Sequence, residues 1–426
     1  MDKILVIAAA DSHIKWCYTV SKKFSPNGSV EIFVPSDQGL DIDETILANM
    51  GVYEPFVSGG LSSLKNIYDL SEYQAIITIL MPSLFGKLHN IVSNWLDVDK
   101  PDSRPAIMTG FPGISMKLAN GLATRQGADI ICLNSKKDLS YAKEFFSDLG
   151  LDGSVLESTN YPFAAEGERK EVKTKPNTGR HIVFTTQPHW PGKIEERLYV
   201  LGELVKAAKL YPSDKIIIKL RMPAGKKTIH PEKYHYESIF PKLRLKKPTN
   251  LEFVYGDMAK VLESTDLHIT LASTAAVESI AMKIPTAIIG DFGIVEKYGV
   301  DHFVGSGLIL KISDALSSGV SLPHAQWLNY NGLGEDDNFE AAFSKLRRVI
   351  EKQDQSASAL PLNPVYYNSK NYAYDFSPSV MIDKKERLPK RPRLKVRIKN
   401  MLKELLPPIV YDGLGAALRK LRSSFS

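Results

Sequence analysis

The chain has 426 residues, 43% of them hydrophobic and 24% charged, a length for two core domains plus a tail and a composition that excludes wholesale disorder. Its formal charge of +6 is unevenly placed: from Lys384 onward seven Lys and six Arg face Glu386, Glu404 and Asp412, a net +10 that leaves residues 1–383 at −4. A mildly acidic body argues against nucleic acid as its partner, and the basic tail needs its own explanation.

In chain order, Met-Asp-Lys runs straight into ILVIAAA, too short and wrongly flanked for a signal peptide. No apolar run approaches the ~20 residues of a membrane span, so a cytoplasmic body is expected. Apolar runs at 3–9, 29–34, 74–80, 105–108 and 129–133 predict buried parallel strands, with helices over 13–24, 84–96 and 138–149 between them. Cys17 and Cys132 lie beside such runs and are expected as buried thiols of a reducing compartment. Residues 166–180 are polar and predict a linker. A second series follows, with strands at 181–186, 215–220, 251–254, 267–272 and 286–290 and a helix over 193–211. The expected fold is therefore α/β, with two doubly wound Rossmann-like domains, 1–165 and 181–351, facing each other across a cleft. An irregular connection over 352–383 and a basic amphipathic tail over 384–426 complete the chain.

Ligands of such sheets sit at the carboxyl ends of the strands, so the loops there are the candidate sites. After the first strand come Asp11, Ser12, His13, Lys15 and Trp16. Asp11 can cap the helix, or Asp11 and His13 can take the proton of an acceptor hydroxyl. The stretch 108–129, with three early glycines and Arg125, is expected to shape the acceptor side. In the second series, Thr185, Thr186 and Gln187 lead a βα turn that can touch a nucleotide or simply turn the chain. KIIIKL is followed by RMPAGKKTIHPEKYH, where Lys219, Arg221, Lys226 and Lys227 surround His230 and Pro231. A His held beside a phosphate neutralises a departing nucleotide, and a solvated basic loop is the plain alternative. Finally LHITLA ends in Ser273-Thr274 and opens the helix AAVESIAMK. Its first amides can hold a phosphate, with Glu278 accepting from a ribose hydroxyl, or Ser273 and Thr274 can merely cap it. The Gly-rich exit GDFG at 290–293 is either a cover for the base or a turn.

The order His230-Pro231 then Ser273-Thr274, each pair after a strand of the second domain, resembles the bacterial sialyltransferase pattern over residues 181–310. That pattern belongs to GT-B enzymes using CMP-activated nonulosonic acids, including capsule polysialyltransferases and Kdo transferases. The resemblance implies that His230 and the Ser273-Thr274 hydroxyls hold the donor phosphate. It also implies transfer of a sialic, pseudaminic or Kdo-type sugar onto a surface polysaccharide or a lipid-linked glycan. Such enzymes often carry an acidic pair before a glycine in the first domain. Here Gly110-Phe111-Pro112-Gly113 stands after the comparable strand, which leaves the catalytic base open.

No DxD between apolar strands, HExxH, spaced Cys/His cluster, GxxxxGK[ST] or GxSxG occurs, so neither metal nor cofactor is expected, the nucleotide sugar being a substrate. Leu394, Ile398, Met401, Leu402 and Leu405 share one face of a basic helix in the tail, suited to an anionic membrane surface. Other readings stay open: a UDP-sugar or CDP-glycerol donor, a nucleotide-sugar epimerase, or a non-catalytic glycan-binding protein.

Overall fold

The apolar runs form two parallel sheets. The first has seven strands, β1 (Lys3–Ala8), β2 (Ser29–Pro35), β3 (Phe56–Gly59), β4 (Ala75–Ile79), β5 (Ala106–Thr109), β6 (Ile130–Leu133) and β7 (Leu156–Ser158), ordered β3-β2-β1-β4-β5-β6-β7. The second has β8 (His181–Thr185), β9 (Lys215–Lys219), β10 (Leu251–Val254), β11 (Leu267–Thr270), β12 (Thr286–Ile289) and β13 (Ile309–Leu310), ordered β10-β9-β8-β11-β12-β13. The protein's computed structural model describes residues 2–38, 42–48, 51–114, 118–162, 179–225, 232–334, 339–363 and 365. Residues 1–366 form one unit. The expected tail over 384–426, and most of the expected linker, lie outside the described residues.

Both sheets are the doubly wound kind: strand order reverses beside β1 in one and beside β8 in the other. Side-chain alternation explains the unbroken apolar runs. Leu5 and Ile7 enter one core with Phe33, Ile76, Ile107 and Ile131, while Ile4, Val6 and Ala8 enter the core on the opposite face. The helix Asp11–Phe24 covers that second face with Ile14, Cys17, Val20 and Phe24, three or four positions apart. Cys17 and Cys132 are buried and unbridged.

One helix leaves the domain in which the sequence places it. Phe339–Asp354 buries Phe339, Ala342, Phe343 and Leu346 in the first sheet's core, with the Phe343 ring 5.4 Å from that of Phe24. The second domain therefore ends before residue 339, and 339–354 belongs with the first. Its periodicity predicts a buried face and carries no information about which sheet receives it. The segment after it continues along the first domain, where Arg104 Nε donates to Leu360 O at 2.7 Å and Asn363 Nδ2 to Ala128 O at 2.8 Å.

Candidate active site

The carboxyl ends of the two sheets meet. Arg221, two residues beyond β9, donates through Nη2 to both carboxylate oxygens of Asp11, at 2.9 and 3.2 Å. Asp11 opens the helix after β1, so this pair joins the exit of the first sheet's switch-point strand to the exit of β9, the neighbour of β8 in the second sheet. Lys15 Nζ, one helical turn on, stands 3.8 Å from Glu278 Oε2 across the same gap. Gly113 lies against Thr274: a Cβ on Gly113 would lie 2.3 Å from Thr274 Oγ1, so any other residue there forces Thr274 to move. The loop carrying Gly113 is fixed by buried Asn134, whose Nδ2 donates to Phe111 O and Gly113 O, both at 3.0 Å. Asp11, Thr274 and Glu278 are thus brought together, with Lys15 and Arg221 as their counter-charges. His13 lies half-buried on the same first turn as Asp11.

The short helix Ala275–Ala281 begins with its amides engaged in their own turn. Ala275 N donates to Ser273 Oγ at 3.2 Å, Ala276 N to Ser273 O at 2.9 Å and Val277 N to Thr274 O at 2.9 Å. Ser273 Oγ thus accepts from the helix's first amide from just outside its N-cap, Thr274. Thr274 makes no side-chain cap.

Thr185 points inward, into a buried polar chain. Its Oγ1 lies 2.8 Å from His268 Nε2, His268 Nδ1 lies 2.7 Å from Ser279 Oγ, and Ser279 Oγ lies 2.8 Å from Thr286 Oγ1. Thr286 Oγ1 also lies 2.8 Å from Ile284 O, Ser279 Oγ 3.0 Å from Ala276 O, and Thr185 Oγ1 3.7 Å from Met258 Sδ. The two hydroxyl protons of Ser279 and Thr286 cannot serve all of these contacts at once, so either imidazole tautomer closes the chain, with Thr185 donating to Nε2 or accepting from it. Burial pushes the imidazole down to about 3, which keeps it neutral in this role. Thr185 Oγ1 is thus engaged in the chain in either tautomer.

The neighbouring candidates are also partly committed. Thr186 Oγ1 is 3.3 Å from Lys219 O, and Gln187 Oε1 accepts from Ala272 N at 3.0 Å. Lys219 is 5% exposed, donates to Leu220 O at 2.8 Å, and has its ammonium pushed down by burial. His230, Pro231, Lys226 and Lys227 lie outside the described residues. Gly290–Gly293 closes as a turn, with Gly293 N on Gly290 O at 3.0 Å. Arg125 is buried: its Nε donates to Gly110 O at 3.1 Å and its guanidinium stacks on Phe111, so it braces the loop from beneath.

Sequence reasoning missed Arg197. It sits on the helix Ile194–Leu210, buried with Val200, Leu201 and Leu204 on the apolar face. A charge in an otherwise apolar stripe was the available signal. Among the described residues no group of three or more His, Cys, Asp or Glu is placed to hold a metal ion, and no helix is long and apolar enough to cross a membrane.

A family model described as "Putative glycosyltransferase (DUF6716)" matches residues 4–348. No curated protein matches the chain. Among solved structures, the chain is similar to S. aureus MnaA in its UDP co-structure, at 12% identity and TM-score 0.51, covering 86% of this chain and 100% of that one. The UDP-GlcNAc 2-epimerase of Methanocaldococcus jannaschii is similar at 12% identity and TM-score 0.51, covering 83% and 100%. At these identities the likeness shows the fold alone, two Rossmann-like domains of the GT-B kind.

Proposed function

The chain belongs to the DUF6716 family, and on that premise we propose that it is a GT-B glycosyltransferase moving a nonulosonic acid from a CMP donor onto a surface-glycan acceptor. The observation that carries the reading is the meeting of Asp11 and Arg221 with Thr274 and Glu278 where the two sheets' strand ends converge. The second domain holds the nucleotide through Thr274, Glu278 and the His230-Pro231 loop. Arg221 holds Asp11 through Nη2 alone, and a donor phosphate that takes the guanidinium two-handed draws it away from Asp11. Donor binding thereby frees the Asp11 carboxylate to take the proton of the acceptor hydroxyl. The acceptor oxygen then bonds to the anomeric carbon, the anomeric carbon–oxygen bond to phosphate breaks, and CMP leaves with the electron pair.

A thermal-shift panel of CMP, CDP, UDP and GDP tests the donor, since only a bound nucleotide raises the melting temperature. CMP is expected to give the largest shift. The double variant Ser273→Ala, Thr274→Ala should weaken that shift, while Asp11→Asn should cut turnover at least tenfold and keep nucleotide affinity within a few-fold. A larger shift with UDP overturns the CMP assignment. Loss of nucleotide binding in Asp11→Asn reverses the roles of the two domains.

The basic tail, net +10, is proposed to bring the enzyme to an anionic membrane where a lipid-linked acceptor resides. Removing residues 384–426 should abolish co-sedimentation with phosphatidylserine-containing vesicles and spare turnover of a soluble acceptor. Undiminished vesicle binding by the shortened chain refutes this.

A further inference from the structure

We infer that Arg197 is a positioning residue that fixes the strand exits of β8, β9 and β11 relative to one another, an inference that rests on the donor-site reading above. The guanidinium has five N–H donors, and all five are used. Nε donates to Pro191 O at 2.8 Å, Nη2 to Gln187 O at 3.0 Å and Pro188 O at 2.7 Å, and Nη1 to Tyr234 O at 2.6 Å and to the Glu232 carboxylate. Three of those acceptors belong to the loop after β8, and two to the segment that returns from β9. Tyr236 stacks on the guanidinium, its centroid 4.9 Å from Cζ.

The third exit is reached through Gln187. Its backbone carbonyl is held by Arg197 while its side-chain oxygen accepts from Ala272 N, the residue before Ser273. A shift of the guanidinium therefore moves the β8 loop, and Gln187 carries the movement to the residues that open the helix Ala275–Ala281. Two β loops with little regular structure are thus registered by one rigid fork. Lysine cannot replace it, because three donors on a single nitrogen cannot reach acceptors spread around a plane. A buried carbonyl left without its donor loses the arrangement that held it.

The wild-type protein, full chain, is first screened against CMP, CDP, UDP and GDP to find the nucleotide it binds. Arg197→Lys is then expected to raise the Kd for that nucleotide at least tenfold. Amide hydrogen exchange should quicken over 186–191 and 232–236 and stay unchanged in β1, β4 and β5. Gln187→Leu, which keeps every Arg197 bond and cuts only the link to Ala272, should weaken binding several-fold with a small change in melting temperature. Its effect should be less than additive with Arg197→Lys. If Arg197→Lys does not fold, Gln187→Leu and Glu232→Gln carry the test. Wild-type affinity in the folded variants overturns the inference and leaves the donor site standing. A wild-type protein that none of the four nucleotides stabilises overturns the donor site, and the inference with it.

Discussion

Replacing Asp129 with alanine is expected to lower folding stability by about 3–5 kcal/mol, the usual cost of stripping one partner from a buried ion pair. Asp129 and Arg104 form a bidentate pair at 2.8 and 2.9 Å, and both side chains are almost wholly buried. The carboxylate also accepts from Ile107 N at 2.7 Å, which ties the start of β6 to β5. Alanine leaves the Arg104 charge in the interior with two N–H groups unpaired, and a freed amide beside it. Arg104 serves a second end: Nε and Nη2 donate to Leu360 O and Pro361 O, holding the segment that follows the returning helix Phe339–Asp354. The double variant Arg104→Met, Asp129→Leu removes both charges together and should recover part of the loss. It should not recover all, because the carbonyls of Leu360 and Pro361 still lose their donors. Urea midpoints at constant m-value measure both numbers. An Asp129→Ala midpoint equal to wild type refutes the buried pair.

The returning helix shows where sequence stops informing the fold. Parallel strands in the middle of each sheet are buried on both faces, so β1, β4 and β9 appear as near-continuous apolar runs. The strands the sequence misses are edge or terminal ones: β3, half-exposed with Val57 41% exposed, β7 of three residues and β13 of two. An edge strand has one neighbour and less to bury, so its pattern fades into that of a loop. The spacing of Phe339, Ala342, Phe343 and Leu346 announces a buried face, yet not the sheet that receives it. That is a property of three dimensions.

The candidate site divides in the same way. Placement at strand ends was legible, since the βα series fixes which loops lie at the carboxyl edge, and Asp11, Thr274 and Glu278 do meet there. Hydrogen-bond allegiance was not. Thr185 and Gln187 stand one residue apart, yet the first turns its hydroxyl to His268 and the second holds an amide of the β11 exit. In the sequence Arg221 offers only diffuse positive potential, whereas in the structure it is the specific partner of Asp11. Chain proximity gives neighbours along one loop, whereas each of these bonds spans scores of residues.

His268 should make the second domain acid-labile. Its folded pKa is held near 3 by burial, against an ordinary value of 6.5. Between those values the unfolded chain takes up a proton that the folded chain refuses, so acid favours unfolding. The contribution is fully present above pH 6.5 and is lost as pH falls toward 3, by about 1.4 kcal/mol per pH unit inside that window. From pH 7 to pH 5 that amounts to about 2 kcal/mol from this residue. His302, pushed down to about 4 by its own burial, adds a slope of the same sign. His268→Gln keeps a donor and an acceptor for Ser279 and Thr185 and has nothing to titrate. Its stability should be lower than wild type at pH 7, where a hydrogen-bonded imidazole has been lost, but should fall less steeply toward pH 5. Chemical denaturation at half-unit steps between pH 5 and 7 reads the difference, in a range where most carboxylates remain ionised. Parallel curves for the two proteins would mean that His268 is protonated inside the fold. Thr185 would then be the acceptor in that chain, with its own proton free for a ligand.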